Sequence, residues 1–377
     1  MLAPERTEHM QAIKRDLFGP GPTNVPDSIL NALSQPTIGH LDPEFLRVMD
    51  EAGERLRYCF QTNNALTFIL SAPGSIGMET SFVNLLEPGD KVVICINGVF
   101  GGRMRDICER IGAKVVSVEF EWGTAVDPEA LRKTLHDHGD AVAVAFVHAE
   151  TSTGVRSDAK TLAGIAKEHG CLVVADCVTS LGGVELLVDD WGLDIVYSGS
   201  QKCLSCVPGL SPITFSEPAV KRIKQRESRV QSWFCDISLL MSYYESGEKT
   251  RAYHHTAPVN SLFAMNEALR LVQDESLEVR WVRHAQAAEH LYTRLESAGL
   301  ELIVDAEHRL APLTLVRIPE GVDDAAVRGG LLNEQNIELG GGLGKFAGSA
   351  WRIGLMGQNA TLERADFIAD ALIARVR

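Results

Sequence analysis

At 377 residues, 45% hydrophobic and 23% charged, the chain has ordinary globular composition and length enough for one large and one smaller domain. Its formal net charge of -14 argues against a nucleic-acid surface. No apolar run approaches the roughly 20 residues that span a bilayer, which argues against a membrane protein.

Residues 1–16 mix Glu5, Arg6, Glu8, Lys14 and Arg15 and lack the apolar core of a signal peptide, so they read as a polar arm. Gly19-Pro20-Gly21-Pro22-Thr23-Asn24 is a rigid turn cluster. Asp42-Pro43 predicts a helix start, with Phe45, Met49, Ala52, Leu56 and Cys59 at helical spacing behind it. A short apolar strand at 66–70 runs into the small-residue loop Ser71-Ala72-Pro73-Gly74-Ser75-Ile76-Gly77. Such a loop presents backbone N–H groups at a helix N-terminus, an anion site, although many similar turns bind nothing. A strand at 91–96 turns through Asn97-Gly98-Val99-Phe100 into a helix ending near Gly112. Phe100 offers a flat face to a ligand ring, and an aromatic here serves a core equally well.

A strand at 113–120, a helix from Asp127-Pro128-Glu129 and a near-continuous apolar strand at 141–147 follow. The last ends in His148-Ala149-Glu150-Thr151-Ser152-Thr153-Gly154, a polar tip where open α/β sheets bind ligands. A helix at 160–169 with Gly170 as its C-cap leads to Cys171-Leu172-Val173-Val174-Ala175-Asp176. A further apolar strand, Asp194-Ile195-Val196-Tyr197, runs into Ser198-Gly199-Ser200-Gln201-Lys202. Strands alternating with helices over 60–215 predict an α/β fold, a mostly parallel sheet between helices. Lys202 and Asp176 each close a strand, and that pair is what pyridoxal phosphate (PLP) requires: an amine for its aldehyde and a carboxylate for its ring nitrogen. Taken singly, either residue reads as a solvated loop lysine or a helix cap.

Beyond residue 217, Arg222, Lys224, Arg226 and Arg229 read as a solvated helix face. Tyr253-His254-His255-Thr256 precedes two amphipathic helices, the second ending at Gly299. Adjacent histidines lack the spacing of metal ligands on a helix, so no metal is expected. Residues 300–377 read as a smaller α+β unit with strands at 300–304 and 313–318 and a helix at 324–332. Gly340-Gly341-Gly342-Leu343-Gly344 reads as a flexible loop without the context of a dinucleotide motif. Trp351-Arg352-Ile353-Gly354 sets an arginine among apolar residues, where it needs an anionic partner, either a protein carboxylate or a substrate carboxylate. The eight cysteines include one C-x-x-C, Cys203 and Cys206; with no second pair it makes no zinc ribbon, and the pattern suits a reducing cytoplasm.

Five stretches, Phe18-Gly19-Pro20-Gly21-Pro22-Thr23-Asn24, Glu150-Thr151-Ser152-Thr153-Gly154, Ser198-Gly199-Ser200-Gln201-Lys202, Tyr253-His254-His255-Thr256 and Arg352-Ile353-Gly354-Leu355, resemble the class V aminotransferases, in particular the alanine–glyoxylate branch. The resemblance spans residues 17–377 and implies a fold-type I PLP enzyme: a large PLP-binding domain at 17–275 and a small C-terminal α+β domain at 276–377. It implies that Lys202 bonds the cofactor aldehyde and that Asp176 sits under the ring nitrogen. Gly74, Ser75, Ile76 and Gln201 fall where the family holds the phosphate, and Phe100, Ser152 and Val178 where it flanks the ring. Tyr253 and Thr256 match residues that reach the neighbouring subunit's phosphate, which implies a homodimer with shared sites. Arg352 matches the substrate-carboxylate arginine, with Gly21 and Gly342 also at the substrate. The implied reaction is transamination of L-alanine with glyoxylate, giving pyruvate and glycine, in the cytoplasm.

Two departures stand out. Pro73 replaces a common Ser or Thr, and Phe100 replaces a common Trp. Asp42-Pro43-Glu44-Phe45, Glu121-Trp122-Gly123-Thr124 and Lys202-Cys203-Leu204-Ser205 also resemble ureidoglycine–glyoxylate aminotransferases, with serine–glyoxylate enzymes a third branch; Tyr253 leans toward the alanine branch. A PLP lyase or desulfurase would need a cysteine on a mobile loop, whereas these cysteines fall mainly in regular elements. A non-catalytic PLP-binding interaction protein would need a basic tail or DNA-binding extension, and the chain has neither.

Overall fold

The computed structural model describes residues 13–244 and 251–376. Most of the expected N-terminal arm, residues 1–12, lies outside them. A short strand β1 (Asp16–Phe18) precedes helices α1 (Asp27–Leu33) and α2 (Pro43–Phe60). Strands and helices then alternate as β2 (Leu66–Leu70), α3 (Gly74–Leu85), β3 (Lys91–Ile96), α4 (Val99–Ile111), β4 (Lys114–Glu119), α5 (Pro128–Asp137) and β5 (Ala143–Val147). A hairpin of β6 (Ala149–Glu150) and β7 (Val155–Arg156) leads to α6 (Ala159–Glu168), β8 (Leu172–Asp176), β9 (Ile195–Tyr197) and β10 (Ser211–Phe215). Four helices follow: α7 (Glu217–Lys224), α8 (Ile237–Tyr244), α9 (Val259–Glu275) and α10 (Leu277–Ser297). The C-terminal part comprises β11 (Leu313–Arg317), α11 (Asp324–Gln335), β12 (Ile337–Gly341), β13 (Ala350–Gly354) and α12 (Leu362–Val376).

The seven-stranded sheet has the order β2-β10-β9-β8-β5-β3-β4. Only β10 runs against its neighbours; β9, β8, β5, β3 and β4 pair in parallel. Its inner strands are apolar on both faces because helices cover both. One apolar cluster, with Val93, Phe146 and Val173, joins the sheet to α2, α6 and α9. The other, with Ile94, Ala145 and Val174, joins the opposite face to α3, α4 and α7. Helix starts follow the local chemistry: Asp42 and Asp127 each accept the N–H two residues on, with proline at the first helical position. A four-stranded sheet, β1-β12-β13-β11, carries the third cluster, in which Trp351 and Ile353 meet α10 and α12.

Three expectations change. The strand at 300–304 is a single bridge, Leu302 to Val316, because the segment crosses from the cluster holding Leu300 to the one holding Val304. The Gly340–342 loop begins as the end of β12, pairing Gly340 with Arg352. The basic run in and just after α7 is only partly solvated. Arg222 Nε donates to the Leu85 carbonyl at 3.0 Å, and Arg226 Nη1 donates to the Asn84 and Leu86 carbonyls at 2.8 and 2.6 Å. These are the carbonyls that the end of α3 leaves open, so the cations cap that helix. Among the described residues no helix is long and apolar enough to cross a membrane.

Candidate active site

The site forms where β8 and β9 end. Register pairs Val147 with Asp176 and Asp176 with Tyr197, so three neighbouring strands deliver their carboxyl ends to one cleft. Asp176 is 3% exposed. Its Oδ1 accepts the Val178 N–H at 2.9 Å and its Oδ2 the Tyr197 hydroxyl at 3.0 Å. Burial pushes the Asp176 carboxyl up to about 7, with those two hydrogen bonds pulling the other way. Lys202 stands in the turn beyond β9, and its Nζ donates to the Pro20 carbonyl. Burial pulls its amine down to about 8, helped by the Arg352 charge. Gly21 lies flat against this side chain. A Cβ there would come within 2.5 Å of Lys202 Nζ, and its φ of +103° is a left-handed conformation that suits glycine.

Gly74, Ser75 and Gln201 line the same cleft at the start of α3; Phe100 and Val178 line it beside Asp176 and Lys202. The cleft holds about 540 Å³ of empty space, counted out into open solvent. Helix α3 has no side-chain cap, since Pro73 stands at its N-cap. A Cβ on Gly74 would meet Val178 Cγ2 at 3.1 Å and the Ser198 carbonyl at 3.3 Å, so the close approach there needs glycine. Ile76 packs partly buried into the second cluster instead of facing the cleft.

Arg352 stands on β13, half-buried. Its Nε donates to the Gly341 carbonyl at 2.8 Å and its Nη1 to the Thr151 carbonyl at 3.4 Å. Among the described residues no carboxylate lies within ion-pair distance of it. The protein-carboxylate partner entertained from sequence is therefore absent there, and the guanidinium keeps donors for an outside anion. Gly342, adjoining Gly341, donates its N–H to the Ala350 carbonyl at 2.8 Å and so closes the base of the loop between β12 and β13. Tyr253 is 62% exposed and its hydroxyl is 3.5 Å from that of Thr256; neither lines this chain's cleft. The neighbouring histidines lie in an irregular stretch, not a helix, with their Nδ1 atoms 2.9 Å apart and His255 Nε2 on Ser71 Oγ at 2.7 Å.

Sequence reasoning gave Glu150 no role, yet it organises the cleft wall. Its buried carboxylate accepts from Ser152 N at 3.0 Å, Ser152 Oγ at 2.6 Å and Phe100 N at 3.2 Å. Ser152 Oγ in turn accepts from Val99 N at 3.0 Å. Helix α4 has no cap of its own, so these two side chains cap it from another strand end and set where Phe100 stands. The clamp has no slack. A Cβ on Gly98 would come within 2.6 Å of Ser152 Oγ and closer still to the Glu150 carboxyl group. Gly98→Ala is expected to destabilise the protein by about 1–3 kcal/mol, because the displaced carboxylate is buried and triply bonded. Calorimetry against Gly102→Ala, a helical glycine with open space around it, tests this.

The aminotransferase class-V model matches residues 17–350. The chain belongs to the class V aminotransferases. This family uses PLP. Alanine–glyoxylate aminotransferase of Rattus norvegicus is 40% identical over 95% of this chain and 87% of the relative. The crystal structure of alanine–glyoxylate aminotransferase from Nostoc sp. superposes with a TM-score of 0.95 at 46% identity, covering 99% of this chain and 98% of that one. Ureidoglycine–glyoxylate aminotransferase from Bacillus subtilis follows at TM-score 0.94 and 35% identity, covering 98% and 94%. The chain is thus an aminotransferase of the alanine–glyoxylate and ureidoglycine–glyoxylate type, with the fold-type I architecture. All eight cysteines are free and buried, which suits no sulfur-accepting loop.

Proposed function

We propose that the chain catalyses PLP-dependent transamination of a small amino acid, L-alanine first, with glyoxylate, giving pyruvate and glycine. The observation that carries this is the pairing of Lys202 and Asp176 across one cleft at the ends of adjacent parallel strands, one pulled toward neutral and the other buried without a cation on it. The cleft suits the cofactor in two further ways. Helix α3 starts on the cleft wall without a side-chain cap, so its first N–H groups are open to a phosphate, and Gln201 lines the cleft beside the reacting Lys202.

When bound, PLP supplies an aldehyde carbon for the donor's nitrogen and a ring that accepts electron density from a substrate carbanion. Lys202 Nζ is the general base, moving the proton at the donor Cα. Asp176, kept in place by Val178 and Tyr197, would offer its carboxylate to the ring nitrogen. Gly74, Ser75 and Gln201 would hold the phosphate end, with Ile76, whose side chain turns into the core, backing them; Phe100, Ser152 and Val178 would border the ring. Arg352 takes the substrate carboxylate beside Gly21 and Gly342, and so fixes which Cα bond faces Lys202. The exposure of Tyr253 supports a homodimer in which Tyr253 and Thr256 serve the neighbouring subunit's phosphate. The likeness to the Bacillus subtilis enzyme supports a second reading, with (S)-ureidoglycine as donor.

The test is a half-reaction. Protein loaded with PLP is mixed with L-alanine and no acceptor. Loss of the cofactor's visible band with pyruvate formed in equal amount is expected. Conversion with (S)-ureidoglycine or serine but not alanine would replace the donor. A loaded protein that converts none of them would overturn the transaminase reading.

A further inference from the structure

The phosphate donors carried over from the family, Gly74, Ser75 and Gln201, are all uncharged. A phosphate ester brings close to two negative charges. Pro73 removes one further neutral donor from the same end of the cleft. Among the described residues lining this cleft only two cations occur, Lys202 and Arg103. Lys202 is committed to the reacting end, where its amine is held toward neutral.

Arg103 is one turn beyond Phe100 on α4. Its guanidinium carbon lies 5.0 Å from the centre of the Phe100 ring, a cation–π contact, and its Nη1 donates to Ser75 Oγ at 3.0 Å. The exposed Arg103 side chain is thus tied at one point to the start of α3, through Ser75, and is carried from below by the Phe100 ring of its own helix. No carboxylate neutralises it among the described residues; Asp106, on the same helix, pairs instead with Arg110 at 2.9 Å. Because Ser75 Oγ accepts from Arg103, the hydroxyl hydrogen of Ser75 is left to donate elsewhere. The guanidinium, that hydroxyl and the open N–H groups of α3 thus converge on one spot.

We propose that Arg103 is the counter-charge for the cofactor phosphate, and that it makes the cleft prefer phosphorylated pyridoxal over pyridoxal itself. This rests on the PLP reading above. The Arg103 fork matches a phosphate bidentately, which a lysine ammonium cannot do. The Phe100 ring beneath it acquires a second task, carrying the guanidinium as well as bordering the cofactor ring.

The experiment titrates apoprotein with PLP and, separately, with pyridoxal, following the visible band and tryptophan fluorescence, without any substrate. Arg103→Gln is expected to weaken PLP about ten- to hundredfold, the weight of a charge-assisted hydrogen bond, and to leave pyridoxal unchanged. Inorganic phosphate should compete with PLP in the wild type and lose that effect in the variant. Arg103→Lys keeps charge and loses the fork, and should fall between the two. Thermal unfolding of each variant checks that it is folded. Unaltered PLP affinity in Arg103→Gln would overturn the proposal. Equal weakening of PLP and pyridoxal would also overturn it, by placing the effect on the ring through Phe100. A wild type that takes up neither compound would instead sink the cofactor reading itself.

Discussion

Lys202→Ala is expected to lower kcat/KM by at least about 10⁴-fold, beyond the detection of most coupled assays. Among the described residues lining the cleft it is the only amine, so none of them can take over its proton transfer. Its loss should not unfold the chain. Among the described residues its side chain bonds only the Pro20 carbonyl, its backbone bond to Ser205 survives the change, and the removed group is a desolvated amine. The far-ultraviolet spectrum should match the wild type. A second expectation follows from burial. The Lys202 amine becomes neutral above about pH 8 instead of above its ordinary 10.5. Capture of PLP by wild-type apoprotein needs the neutral amine. Its rate should therefore climb as pH rises through about 8 and then level, as read by stopped-flow absorbance. Substantial turnover in Lys202→Ala would remove the residue from the mechanism, and a rate still climbing at about pH 10 would remove the desolvation argument.

What was legible in the sequence divides by physical cause. The large sheet could be read because strands buried on both faces are uniformly apolar and stop abruptly at polar residues. Asp176 closes β8 and Ser198 follows β9 for that reason. Helices with a local cap were equally plain, as at Asp42-Pro43 and Asp127-Pro128. Strand β1 escaped because three residues carry no period and its partner, β12, lies more than 300 residues away. The segment at 300–304 is largely apolar like a strand, yet that says only that it touches a core, and it touches two. Within the site the same distinction holds. Residues at strand ends announced themselves. Glu150 and Arg103 did not, because what they do depends on other elements: Glu150 caps a helix that follows a different strand, and Arg103 reaches a hydroxyl on a different helix. The spacing of Phe100 and Arg103, three apart on one helix, was the available hint.

Asp176→Asn separates charge from shape at the other end of the cleft. The amide keeps the size of the carboxyl group and can still accept the Val178 N–H that now reaches Oδ1 at 2.9 Å. What it loses is the negative charge offered to a ring nitrogen. Turnover should fall on the order of 10² to 10³-fold, the weight of one preorganised electrostatic group in a buried site. Stability of the apoprotein should move the opposite way, and the pH dependence identifies the cause. The folded Asp176 carboxyl titrates near 7, above its ordinary 3.8, so the folded state holds this proton more tightly than the unfolded chain. The stability that this proton contributes is fully present below pH 3.8 and is lost as pH rises through about 7. The amide of the Asp176→Asn variant has no such proton to lose. Its melting temperature should therefore gain on the wild type from about pH 4 to 7 and run parallel above that. Equal melting curves across this range would mean that Asp176 is well solvated in the empty cleft. Loss of activity together with a lower melting temperature at about pH 8, where the wild-type carboxyl is ionised, would mean that the variant damages the Val178–Tyr197 scaffold, and that charge is not what the position supplies.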